Sequence, residues 1–247
     1  MKVDFKTRFW EIDLLRGIAI IMMLVSNAIT SLIYFDVINI SNRWFWLFFA
    51  RITAILFILL VGISLTLSYA RIKDWNTKKI FLKYLKRGLT IFSWGLAITL
   101  VSWFFIREDF IVFGVLHLIG LAIIFSIPFF KKKFLTLIFA IFFILIGIYL
   151  DKLTFNTSLF IWLGLTPAGF STVDYFPIFP WFGIVLVGMF VGNVLYKNYS
   201  RSFKLKDLSS KKEVKLLSFL GRHSLIIYLI HQPIIITLLV ILGYITL

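Results

Sequence analysis

Seven apolar runs separated by clusters of basic residues dominate the chain, at about 13 to 35, 45 to 70, 88 to 106, 110 to 130, 134 to 150, 178 to 196 and 224 to 246. Most match the roughly 18 to 20 apolar residues that a helix needs to cross a bilayer. A soluble domain has no interior large enough for them. Of the 247 residues 61% are hydrophobic and 15% charged, against about 45 to 50% and 25% in soluble domains. The expected fold is all-α, a polytopic transmembrane helix bundle of about seven spans. It forms a single integral-membrane domain over residues 1–247, set in the cell membrane with the lipid bilayer as its first partner.

The basic residues give an orientation. Of the 26 lysines and arginines, 22 fall into four groups: the amino end (Lys2, Lys6, Arg8, Arg16), segment 71–87, Lys131 to Lys133, and segment 197–222. Only Arg43, Arg51, Arg107 and Lys152 fall on the other segments. With seven spans the four groups share one side. The positive-inside rule makes that side the cytoplasm, with the amino terminus inside and the carboxyl terminus outside. The net charge of +15 is thereby explained by topology and anionic head groups, which argues against a nucleic-acid partner.

The first run lacks a small-residue cleavage site and is expected to be retained. Segment 197–222 reads as a loop followed by a basic amphipathic helix, and 151–177 as an interfacial or re-entrant external element. No internal repeat of the kind found in two-fold transporters is visible. With no cysteine in the chain, thiol nucleophiles, disulfides and thiolate metal sites are excluded. His117, His223 and His231 have no metal-ligand spacing, so no metal is expected.

Polar residues inside apolar spans are the informative ones, because each must find a partner or water there. Arg16 and Asn27 are eleven residues apart in the first run, close to three helical turns and roughly 16 Å, so they share a face with Asp13 and Ser31. Asn27 is expected near the bilayer centre. Arg51 enters the second run about two turns from its outer end and is expected to face a polar cavity. His117 is flanked by Gly114 and Gly120, which admit close approach of another helix or a ligand. In GRHSLIIYLIHQP, Gly221, Ser224, Tyr228 and His231 form a polar stripe, and Pro233 removes a backbone donor beside it. His223 is expected at the cytoplasmic rim. Asp36 and Asp174 close the outer end of this polar path.

The runs WEIDLLRGIAIIMMLVSN, FARITAILFILLVGISLTLSYAR, FGVLHLIGLA, DYFPIFPWFG and GRHSLIIYLIHQP resemble, in order, the small prokaryotic relatives of heparan-alpha-glucosaminide N-acetyltransferase, over about residues 8–240. That family belongs to the transmembrane acyltransferases. The resemblance implies transfer of an acetyl group from cytosolic acetyl-CoA to a sugar amine or hydroxyl on the far side of the membrane. Asp13, Arg16 and Asn27 match its first-span pattern, Asp174 an external aspartate, and Gly221, Ser224, Tyr228 and His231 its last span. The chain departs from the pattern in two places. The larger lysosomal enzyme has its proposed catalytic histidine in the first external loop, where this chain offers Asp36. Related sugar O-acetyltransferases have a histidine at the position of Asn27.

Acetyl transfer needs a base beside the acceptor, a donor for the developing oxyanion and a cationic cradle for the phosphates of CoA. The candidate catalytic residues are therefore His231, His117, Asn27 and Asp36, with the base left between His117 and His231 and Asn27 as oxyanion donor. Arg16, Ser224 and Tyr228 are the expected contacts of acetyl-CoA, and Arg51 and Asp174 those of the acceptor. No glycine-rich nucleotide loop is present. Two rival readings of the same residues are a solute transporter or channel that makes no covalent bond, and a membrane scaffold whose polar residues lock helices together. A homodimer is left open.

Overall fold

The structure, a computed structural model, describes residues 8–245. Lys2 and Lys6 of the amino-terminal basic group, and Thr246 at the end of the seventh expected span, lie outside the described residues. Eight α-helices follow in order: α1 Trp10–Tyr34, α2 Arg43–Ala70, α3 Thr77–Phe105, α4 Val115–Phe125, α5 Lys133–Leu150, α6 Ile178–Leu195, α7 Lys212–Arg222 and α8 Ser224–Ile241. Six of them (α1, α2, α3, α5, α6 and α8) are long and apolar enough to cross a bilayer. On α3 and α5, Trp94, Leu100, Phe104, Phe134, Ile138 and Leu145 are exposed, as side chains solvated by lipid would be.

The chain forms two compact units. One comprises residues 61–203; the other is made from the described residues up to Leu60 and from Lys204 onward.

In the first unit α3 and α4 run antiparallel, with Gly88 against the Gly120 carbonyl and Gly95 against the His117 ring. The end of α2 meets α6 where Gly62 and Gly192 remove side chains from the contact. Phe130 stacks on Tyr69 at 4.6 Å between ring centroids and meets Tyr84 at a tilt, 4.7 Å away. Arg71 donates from its guanidinium to the Tyr199 hydroxyl. These contacts gather the connections after α2, before α5 and after α6 at one end of the unit, so three basic segments share that end. The opposite end holds 106–114 and 151–176, joined by the Phe113–Tyr175 bridge and by the Thr172 hydroxyl donating to the Phe110 carbonyl.

The fourth expected span, 110–130, has a different form. Its helix, α4, is eleven residues, only about 16 Å. The residues before it are extended, and Pro128 turns the chain into a short 3-10 segment at Ile127–Phe129 after it. Even so, 111–130 covers the depth. Ile111 lies level with Ser102 of α3 and Phe130 with Tyr84, a separation of about 27 Å along α3, close to a hydrocarbon core. Extended backbone at that depth must be satisfied by protein. The Ser102 hydroxyl accepts from the Ile111 N–H, the Thr99 hydroxyl donates to the Ile111 carbonyl, and the Phe176 N–H donates to the Phe113 carbonyl.

In the second unit α1 packs against both α7 and α8. The amphipathic helix expected in 197–222 is α7, and Val214, Ser218 and Gly221 on its buried face lie at helical spacing. Gly221 is therefore a packing residue, and the polar stripe expected to run through it is interrupted by the break between helices at His223. A Cβ at Gly17 would strike the Leu217 carbonyl, and one at Gly221 the Asp13 carbonyl. Backbone on each side cannot yield as a flexible side chain can. Gly17→Ala or Gly221→Ala should therefore cost about 1 to 3 kcal/mol, measured as a lower unfolding temperature in detergent. An unchanged temperature in both variants would contradict this packing.

Candidate active site

The second unit holds a polar cluster where α1 and α8 meet. The two helices run in the same direction, since Gly221, just before α8, meets Asp13 while His231 meets Asn27. His231 is 6% exposed. Its Nδ1 lies 2.6 Å from the Tyr228 carbonyl. A carbonyl only accepts, so Nδ1 carries the proton and Nε2 presents a lone pair. That lone pair receives the Asn27 amide, Nδ2 to Nε2 being 2.7 Å. Asn27 Nδ2 also lies 3.2 Å from Met23 Sδ. One turn along α1, the Ser31 hydroxyl accepts from Gln232 Nε2 at 2.8 Å. Pro233 lies inside α8; it has no N–H, so the Leu229 carbonyl four residues earlier gets no helical donor.

The placement of this cluster follows from the local sequence. Asn27 and Ser31 are one helical turn apart on α1, and His231 and Gln232 are adjacent on α8. Two interhelical hydrogen bonds of this kind are worth about 0.6 to 2 kcal/mol each in a membrane interior. Asn27 lies roughly 26 Å along α1 from Trp10 and about 10 Å from Tyr34, in the last third of the helix and not at its middle. Gln232 was not among the residues expected to matter. Its only sequence signal is its place between His231 and Pro233.

Toward the start of α1, Arg16 pairs with Asp13 at 3.1 Å, the side chains being 22% and 12% exposed. Ser224 opens α8 one turn before Tyr228, and both are half-buried. Arg51 is exposed on α2. Asp36, in the turn after α1, has φ +55, a left-handed conformation that aspartate tolerates better than most residues. It lines an open cleft of about 430 Å³ with Asn39 and Arg43.

His117 and Asp174 belong to the first unit, at the start of α4. His117 is 2% exposed. Its Nδ1 accepts from the Gly114 N–H at 3.2 Å, and Nε2 lies 3.4 Å from the Thr99 hydroxyl. Because that hydroxyl donates to Ile111, Nε2 is the protonated nitrogen and Thr99 accepts from it. One Asp174 oxygen accepts from the Val115 N–H at 3.1 Å. Both side chains thus satisfy backbone donors at the start of α4, and a Cβ on Gly114 would strike the Asp174 carboxylate. Thr99 and Ser102, three residues apart in the otherwise apolar last turns of α3, are legible as polar residues there but not as the partners of this turn. At the same end of the first unit the Tyr175 hydroxyl donates to the Ile161 carbonyl at 2.7 Å, and burial, reinforced by the Asp151 charge, raises its pKa. Among the described residues no three histidine or acidic side chains come together to hold a metal.

Within the second unit, then, the structure brings Asn27 and His231 together and pairs Arg16 with Asp13; in the first it sets His117 and Asp174 at one helix start. No curated protein and no solved structure matches the chain significantly. A family model does: heparan-alpha-glucosaminide N-acetyltransferase, catalytic, over residues 8–233. The match runs from just before α1 through Asn27, His117 and Asp174 to His231 and Pro233. The chain belongs to the heparan-alpha-glucosaminide N-acetyltransferase catalytic family, and is by that membership a polytopic membrane acetyltransferase.

Proposed function

We propose that the protein moves an acetyl group from cytosolic acetyl-CoA to a sugar amine or hydroxyl at the outer face of the cell membrane, working as one domain. The observation that supports this most is the state of His231. With its Nδ1–H engaged by the Tyr228 carbonyl, the Nε2 lone pair is directed at a neutral amide and not at a cation or a backbone donor. An arriving acceptor replaces the Asn27 amide at that lone pair. Its O–H or N–H proton passes to Nε2 as its heteroatom attacks the thioester carbonyl carbon. The Asn27 amide, released from the ring, donates to the developing oxyanion. The C–S bond then breaks, and the CoA thiolate takes the proton from the imidazolium.

Arg16, Ser224 and Tyr228 on the path from the cytoplasmic side hold the acyl donor, and Arg51 of the same unit meets the acceptor, while Asp174 holds the start of α4 through the Val115 N–H. Asp36 is the alternative base on the outer side. We assign His117 the positioning of the α4 start, because both its ring nitrogens are engaged there.

The reading is tested in sealed vesicles containing the oriented protein, with labelled acetyl-CoA on the cytoplasmic side and a panel of amino and neutral sugars on the other. Acetylated sugar on the far side is expected, with free CoA released in equal amount. Free CoA without any acetylated sugar, across a panel covering both classes, would count against a sugar acceptor.

The orientation that this requires is amino terminus in and carboxyl terminus out. It is supported by the three basic connections sharing one end of the first unit. It needs the interrupted segment 111–130 to count as a crossing, since six crossings would return the carboxyl terminus to the cytoplasm. A carboxyl-terminal reporter active only outside the cytoplasm is the expected result, and one active only in the cytoplasm would overturn the assignment.

A further inference from the structure

The turn between α2 and α3 contains a cleft that the chemistry at His231 does not use. It measures about 350 Å³ and is lined by Asp74, Trp75, Asn76 and Lys79, a size within the usual range for small-molecule sites of about 300 to 1,000 Å³. Trp75 is 51% exposed, and the Lys83 ammonium stands 5.2 Å from its ring centroid. Asn76 Oδ1 is taken by the Lys78 N–H at 3.0 Å, which turns the donor half of that amide away from the helix. Segment 71–87 has seven basic residues and a single acid, Asp74.

We infer that this cleft is a subsite for a purine nucleotide, the phosphorylated adenosine portion of the acyl donor. The inference rests on the acetyltransferase reading above. An exposed indole offers a stacking face to any base. The Asp74 carboxylate accepts from an exocyclic amino group, and Asn76 Nδ2 donates to a ring nitrogen. Lys79 and Lys83 then meet the phosphates. A bare anionic lipid head group uses only the lysines of such a set and is repelled by Asp74, which stands beside the indole where a purine edge has a use for it. The same end of the first unit holds the other basic connections, which adds to the positive charge facing the phosphates.

The experiment is equilibrium binding to the full-length protein in detergent. Three probes are compared: acetyl-CoA, adenosine 3′,5′-bisphosphate, and acetyl-pantetheine, which has the thioester arm but no nucleotide. Trp75→Ala is expected to weaken acetyl-CoA and the bisphosphate about tenfold, in line with the loss of one stacked base, and to leave acetyl-pantetheine unchanged. Trp75→Phe should restore most of the affinity. Lys79→Gln with Lys83→Gln should flatten the salt dependence of both nucleotide-bearing probes. Acetyl-CoA binding that is unchanged in Trp75→Ala overturns the subsite and leaves the acetyltransferase reading standing. Trp75-dependent binding of the bisphosphate by a protein that does not bind acetyl-CoA upholds the subsite and overturns that reading. Binding of neither by the parent protein overturns both.

Discussion

His231→Gln should insert and fold as the parent does yet lose about two to four orders of magnitude in turnover, the range ascribed to a positioned general base. Glutamine keeps the size and polarity of the ring and can still donate to the Tyr228 carbonyl, which His231 Nδ1 meets at 2.6 Å. It lacks the titrating lone pair that faces Asn27. The loss should fall on turnover, with acetyl-CoA affinity changed by less than about threefold, because a group that acts only in the transition state contributes little to ground-state binding. Single-turnover transfer and equilibrium binding on the same preparation separate the two. Full turnover in His231→Gln together with its abolition in Asp36→Asn or His117→Gln would move the base away from α8.

Asn27→Leu is expected to cost about a hundred- to a thousandfold in turnover, as removal of one oxyanion donor does elsewhere. The amide has two successive duties in this account. In the resting protein it occupies the His231 lone pair at 2.7 Å, and once the acceptor displaces it, it is free to turn toward the thioester oxygen. Leucine has similar volume, although it leaves the buried His231 Nε2 without its amide donor. A packing role alone would then show as a lower unfolding temperature and be nearly silent in turnover. Because both residues act on one step, the double variant Asn27→Leu, His231→Gln should lose little more than the worse single variant. Losses that multiply across the two would show that Asn27 and His231 do not work as a unit. An Asn27→Leu protein with unaltered turnover would assign the hydrogen bond to helix association.

The membrane class of the fold could be read from the sequence because lipid leaves little freedom. Long apolar runs can only be helices there, and six helices of that kind are present among the described residues. The start of α3 could not be read so well. Its lysines placed the expected boundary at residue 88, whereas Asn76 caps a helix that begins at Thr77, its first turns made of residues suited to head groups. The interrupted form of segment 110–130 was hidden for another reason. Hydropathy sums over 110–130 alike whether the chain is helical or extended, and the side chains that permit the extended part, Ser102, Thr99 and Asp174, come from other parts of the sequence. His117 and Asp174 stood out because they are polar in apolar surroundings. The backbone donors that they satisfy are a tertiary fact that spacing does not encode.

The Asn27 and His231 pairing was nearer the surface of the sequence. Each residue stood out alone, but that α1 and α8 lie side by side depends on Gly17 and Gly221, which draw α7 onto the start of α1. Gly221 had seemed part of a polar stripe. Its lack of a side chain matters through what it lets approach.

Acetyl-CoA binding to the purified protein, measured by titration over a range of ionic strengths, bears on the central claim most directly. The predicted result is saturable binding that weakens as salt screens the attraction between phosphates and fixed cations, and that weakens further in Arg16→Ala, where the Asp13 to Arg16 pair is lost. Passage of a solute across vesicles by a protein that shows no saturable acetyl-CoA binding would contradict it and assign the polar residues of α1 and α8 to transport.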